Sequence, residues 1–134
     1  MRRVSTVAGT VWLLLLWSTA ASAISCPTPE IIRDRKVHPA YEWTVDEGVT
    51  LTAVLSAARL TGAELQGSGE FVMCTYERDD GQVLHLYALP KGNHCVLKGK
   101  AGDWAPADGN RLVCDDKDLY RCIFVFTCEK TQTP

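Results

Sequence analysis

Beyond residue 23, this chain of 134 residues has no long apolar run, no basic run, no internal repeat and no low-complexity tract. The first absence argues against a membrane span there, since a spanning helix needs about 20 apolar residues. The second removes the footprint of a nucleic-acid or anionic-membrane partner. The others leave a single domain with no linker. Catalytic signatures are missing too. No C-x-x-C pair occurs, and His38, His85 and His94 show no ligand spacing relative to each other, so neither a metal nor a cofactor is expected. G-x-S-x-G is absent; Ser56 and Ser68 lie in no nucleophile elbow, and Gly67-Ser68-Gly69 reads as a turn. Asp115, Asp116 and Asp118 lack the alternating oxygens, central glycine and distal glutamate of an EF-hand calcium loop. Any two acidic residues meeting in space could serve glycoside hydrolysis, but nothing in the sequence singles out a pair.

What is present begins at the N-terminus. Met1-Arg2-Arg3 is a short basic start, and Val11 to Trp17 is an apolar run too short to stay in a bilayer. Ala21-Ser22-Ala23 then matches the A-x-A pattern cut by signal peptidase. The expectation is an exported protein with Ile24 as its mature N-terminus, free in the periplasm or secreted, with no stable membrane span. A twin-arginine route is disfavoured because Val4-Ser5-Thr6 lacks an apolar pair. Lipidation at Cys26 is disfavoured because Ala23 stands where a lipoprotein signal wants Leu. Loss of Arg2 and Arg3 leaves 12 basic against 16 acidic side chains, a net of −4. Mild acidity favours solubility and a basic partner.

All six cysteines (Cys26, Cys74, Cys95, Cys114, Cys122 and Cys128) follow the leader. An even count in a short exported chain reads as a disulfide framework, with 15 connectivities open to six cysteines. Cys114 and Cys122 flank an acidic loop and form an easy local clip. Cys74 and Cys95 fall on neighbouring predicted strands, which leaves Cys26 with Cys128 to tie the ends of the domain.

Cys26-Pro27-Thr28-Pro29 reads as extended, because proline restricts itself and its predecessor. Residues 30–37 are short and mixed, anchored by Ile31 and Ile32. Residues 41–45 alternate as a half-buried strand does. Residues 49–65 fit two patterns: a strand from about Leu55, or a helical face through Leu51, Val54, Leu55 and Ala58. Residues 70–77 and 82–89 form a hairpin about Asp79-Asp80-Gly81, with Val83, His85, Tyr87 and Leu89 on one face and Leu84, Leu86 and Ala88 on the other. After Cys95-Val96-Leu97 comes a Gly-, Pro- and Asp-rich stretch to Asn110, then short strands at 111–114 and 120–128. The fold class is mainly β: a small disulfide-bonded antiparallel sheet domain over residues 24–130, sandwich- or barrel-like, with one short helix near residues 50–58 as an alternative and a frayed tail at 131–134.

His85 reads as a sheet-surface residue, His94 as part of a turn beside Cys95, and His38 as lacking a carboxylate partner. No residue is assigned a catalytic role. Trp104 either caps the core or anchors a partner. With Asp115, Asp116 and Asp118 it forms the candidate partner-binding surface, suited to a basic cleft.

The order Cys26-Pro27, Trp43, Cys74-Thr75-Tyr76, Leu86-Tyr87, Trp104, Cys114 and Cys122-Ile123-Phe124 resembles uncharacterised families of small exported bacterial domains with a C-P start, a central C-x-Y strand and a W…C…C-x-F ending. The resemblance covers most of the mature chain, and its motifs are structural. It implies a periplasmic or secreted domain and supplies no catalytic residue. More loosely, the chain is similar to small disulfide-bonded β proteins of the envelope that block toxins or cell-wall enzymes, although the S-G-x-x-Y loop of the lysozyme-inhibitor type is missing. The expected function is a non-catalytic exported protein-binding module, an immunity or inhibitor protein whose partner is a toxin or an envelope enzyme. The alternatives are a small secreted hydrolase and a secreted effector acting on a host.

Overall fold

The computed structural model describes residues 23–92 and 94–129. The leader (Ala23 apart), residue 130 and the tail at 131–134 lie outside the described residues.

Turn chemistry sets the centre of the fold. Strand β3 (Phe71–Arg78) and strand β4 (Val83–Pro90) are joined through Asp80-Gly81. Gly81 takes φ +87°, a left-handed value that costs glycine little, and the Asp80 carboxylate accepts from the Gln82 amide at 2.9 Å. Alternation then divides the faces as the sequence predicts. Val72, Cys74 and Tyr76 of β3 and Leu84, Leu86 and Ala88 of β4 are buried. Val83, His85, Tyr87 and Leu89 lie on the open face.

Strands β1 (Tyr41–Val45), β2 (Ala57–Gln66), β6 (Trp104–Ala107) and β7 (Arg111–Cys114) extend this hairpin into a six-stranded antiparallel sheet of order β1-β4-β3-β2-β7-β6. Strands β5 (Cys95–Ala101) and β8 (Ile123–Cys128) form a separate two-stranded ribbon, and Ile24 pairs with Phe124 along the β8 edge. The core lies on the inner face of the large sheet, where Tyr41 meets the rings of Phe124 and Phe126 edge-on at 5.6 and 4.8 Å. Each fully buried aliphatic side chain there contributes about 1.5–3 kcal/mol. The fold is the expected antiparallel β domain, and of the two expected shapes the barrel is not formed: β1 and β6 remain unjoined edges. Pro106 sits in edge strand β6, where a missing amide breaks no interior ladder.

Two short helices complete the domain. The competing readings of residues 49–65 divide the segment between them: α2 (Leu51–Leu55) comes first, with Thr50 accepting from the Ala53 amide, and β2 follows. Helix α1 (Pro29–Arg33) was not expected. Thr28 caps it through the Ile31 amide and Pro29 occupies its first turn, so Pro29 starts a helix where an extended segment was read. Its C-terminus closes with paired bonds, Lys36 N–H to the Ile31 carbonyl and Arg35 N–H to the Ile32 carbonyl. That cap holds its pivot residue left-handed and normally selects glycine; here the pivot is Arg35, at φ +56°, at a cost of about 1 kcal/mol. The Gly/Pro/Asp-rich stretch likewise contains β6, and residues 119–121 form a 3₁₀ turn before β8 begins.

The bridges are Cys26–Cys74, Cys95–Cys128 and Cys114–Cys122. The last matches expectation; the pairings Cys26–Cys128 and Cys74–Cys95 are corrected. Cys74 points into the core from the middle of β3, whose neighbours are β2 and β4. Strand β5 leaves that sheet, and its register sets Cys95 directly opposite Cys128. The opening segment instead crosses the inner face of β3, where Cys26 reaches Cys74 and the Tyr76 hydroxyl donates to the Pro27 carbonyl at 2.6 Å. Three bridges fit an oxidising compartment.

In the chain-entropy model, sequence separations of 48, 33 and 8 correspond to about 4, about 3.7 and about 2.5 kcal/mol of stabilisation. Replacing Cys26 and Cys74 together by alanine is therefore expected to lower the denaturation free energy more than replacing Cys114 and Cys122. Urea midpoints check the order, and the reverse ranking would refute the loop-length account.

All four tyrosines hold their protons unusually tightly. Burial pushes Tyr41 up to about 12. Burial, then the hydrogen bond to Asp46, does the same to Tyr87. Tyr76 is raised further by burial, and Tyr120 by burial followed by Glu30 and Asp118. The unfolded chain ionises these phenols near their ordinary value of 10, before the folded chain does. Their contribution is thus complete below about pH 10 and is lost as pH rises toward 12. Denaturation midpoints are expected to fall over that window, with tyrosinate absorbance appearing together with unfolding; phenols ionising at pH 10 in the folded protein would contradict this.

Candidate functional site

Of the expected partner-binding residues, Asp115 and Asp116 line one cleft, whereas Trp104 and Asp118 are not among its lining residues. Antiparallel pairing of β6 with β7 sets Trp104 opposite Cys114, which brings the residues flanking them, Asp103 and Asp115, side by side. The Asp115 amide donates to the Asp103 carbonyl at 2.9 Å, closing the strand ends. Beyond Cys114 the chain loops out and returns at Cys122 through the disulfide. A polar cleft of about 470 Å³ results, lined by Gly102, Asp103, Asp115, Asp116, Lys117 and Arg121.

Two of the aspartates also hold the loop in shape. Asp116 accepts from the Asp118 amide at 3.2 Å, and Asp118 accepts from the Tyr120 amide at 3.0 Å as the cap of the 3₁₀ turn. Each bond fixes a carboxylate on the surface without neutralising it. No ion pair among the described residues engages Lys117 or Arg121, so the cleft presents separate charges with acidic groups in excess. Asp103 belongs to this site although the sequence reading passed over it. A β6–β7 hairpin would have revealed it, but Pro106 and the flanking glycines mask the strand. Tyr120 was missed as well: it is 36% exposed beside the acidic loop, and Glu30 and Asp118 both disfavour its ionisation.

Trp104 is a support for the site. Its indole N–H donates to the Ala101 carbonyl at 2.9 Å and to the Ile123 carbonyl at 3.2 Å. The ring lies on Gly99, where an added Cβ would stand 2.7 Å from Cδ1. Half-buried and fully bonded, it locks the ribbon to the β5–β6 turn, which is the core-capping role the sequence allowed.

The histidines are dispersed in local roles. His38 Nδ1 accepts from the Ala40 amide at 3.1 Å, and His85 Nδ1 meets the Thr75 hydroxyl at 3.2 Å on the open face. His94 provides a carbonyl for the Glu129 amide. Among the described residues no group of three or more His, Cys, Asp or Glu is arranged to hold a metal, and no helix is long and apolar enough to cross a membrane.

If Gly99 provides the seat for the indole, Gly99→Ala must dislodge it. The expected result is a loss of about 1–3 kcal/mol and a rise in quenching of Trp104 fluorescence, read in a chain starting at Ile24 and carrying Trp43→Phe, so that Trp104 is its one tryptophan. An unchanged Trp104 signal would show that the ring is not held there. No family model, curated protein or solved structure matches this chain.

Proposed function

We propose that this chain is an exported, non-catalytic protein-binding module of the periplasm or extracellular space, acting as an immunity or inhibitor protein against a toxin or cell-wall enzyme. The observation that carries the reading is the polar cleft, in which Asp103, Asp115 and Asp116 outnumber Lys117 and Arg121 beside a loop clipped by Cys114–Cys122. A rigid carboxylate array loses little conformational freedom on docking and steers a basic partner toward it. The leader pattern, the three bridges, the net negative charge of the mature chain and the resemblance to small envelope inhibitors support the same reading. The partner is a protein whose functional cleft is basic, with Tyr120 offering an aromatic contact beside the charges.

The test uses the mature disulfide-bonded chain as bait against envelope extract and against the product of the neighbouring gene. The wild type is expected to retain a basic protein at low salt, release it at high salt and inhibit its activity. The triple variant Asp103→Asn, Asp115→Asn, Asp116→Asn is expected to lose retention and inhibition by at least about tenfold, as the loss of charge-assisted contacts implies. Equal inhibition by both forms, or retention indifferent to salt, would remove the cleft from the mechanism.

A further inference from the structure

At a second place, an apolar groove of about 280 Å³ opens between α2, β1 and the chain leaving α1. Val37, Trp43, Val45, Leu51, Val54 and Leu55 form most of its lining. Helix α2 has no fully buried residue, and Leu51 is 56% exposed, so this helix presents apolar side chains to an open space. Trp43 commits its indole N–H to the His38 carbonyl at 2.9 Å, which fixes the ring as a wall of the groove.

Among the described residues, just one with a charged side chain lines the groove, Arg35. It makes no ion pair among the described residues. It also occupies the left-handed pivot of the α1 cap, at φ +56°, where glycine would be unstrained. An arginine among the residues that line an apolar groove is complementary to a molecule with an anionic head and an apolar tail. At about 30 Å³ for each water-sized group, the groove takes about nine heavy atoms. That suits a short chain lying in the groove.

We propose that this groove binds a small amphiphilic anion, a free acyl carboxylate of about eight carbons, with its tail against Trp43 and Leu51 and its carboxylate on Arg35. The site is separate from the acidic cleft, and neither reading depends on the other.

The experiment titrates the mature protein with octanoate below its micelle threshold and with octanol as a neutral probe of equal length, followed by calorimetry and tryptophan fluorescence. Octanoate is expected to bind saturably, about fivefold to tenfold more tightly than octanol, the increment of an exposed charge-assisted contact. Arg35→Gln is expected to bring octanoate down to the affinity of octanol and leave octanol unchanged. Arg35→Gly is expected to lose the same increment while raising the denaturation midpoint, a combination that a purely structural role for Arg35 would not produce. Leu51→Asp is expected to weaken both probes. A non-saturable response, equal affinities for acid and alcohol, or octanoate binding indifferent to Arg35→Gln would each overturn the proposal.

Discussion

The opening segment clamped across β3 is the contact on which the rest of the architecture depends. Cys26 is joined to Cys74 at the centre of the inner sheet face, and two residues along that strand the Tyr76 hydroxyl holds the Pro27 carbonyl. Both cysteines and Tyr76 are essentially inaccessible to solvent. The clamp orients the residues on either side. Upstream, Ile24 lies along β8 and exchanges two backbone hydrogen bonds with Phe124. Downstream, Thr28 and Pro29 start α1, which lays Ile32 on the core. One covalent cross-link therefore gathers the large sheet, the ribbon and the first helix around one core.

That arrangement leaves the two ends of the molecule with different surfaces. Where β6, β7 and the 3₁₀ turn meet, the chain is held by a disulfide, the bonds of Trp104 and two aspartate caps. Charge is displayed there on a stiff frame, which lowers the conformational cost of any docking at that surface. Around α2, short helical elements cover the edge of the core incompletely and leave apolar side chains lining a groove. The two surfaces differ in polarity and share no lining residue.

Much of this was legible beforehand wherever the determinant is local. The Asp-Gly turn and the alternation of β3 and β4 specify their hairpin and its faces, because a two-residue period sorts side chains without reference to the rest of the fold. The Cys114–Cys122 clip was legible for the same reason, its loop being short. Helix α1 was hidden although its signals were present: Thr28 before Pro29 is a cap and first turn, but two prolines so close together read first as extended chain. Strand β6 was hidden by Pro106, which is disfavoured in an interior strand and tolerated at an edge, and an edge is a property of the sheet.

The sequence by itself determined an even set of six cysteines, a β-rich domain and a concentration of aspartate between two of those cysteines. Each follows from residue type and short spacing. Tertiary structure alone decided that β5 leaves the main sheet to pair with β8, and with it which cysteines meet. It also decided that Asp103 joins Asp115 and Asp116, and that Arg35, Trp43 and Leu51 line one groove. Those juxtapositions follow from strand order and register, which are set by how the whole core closes, so no local stretch of residues contains them.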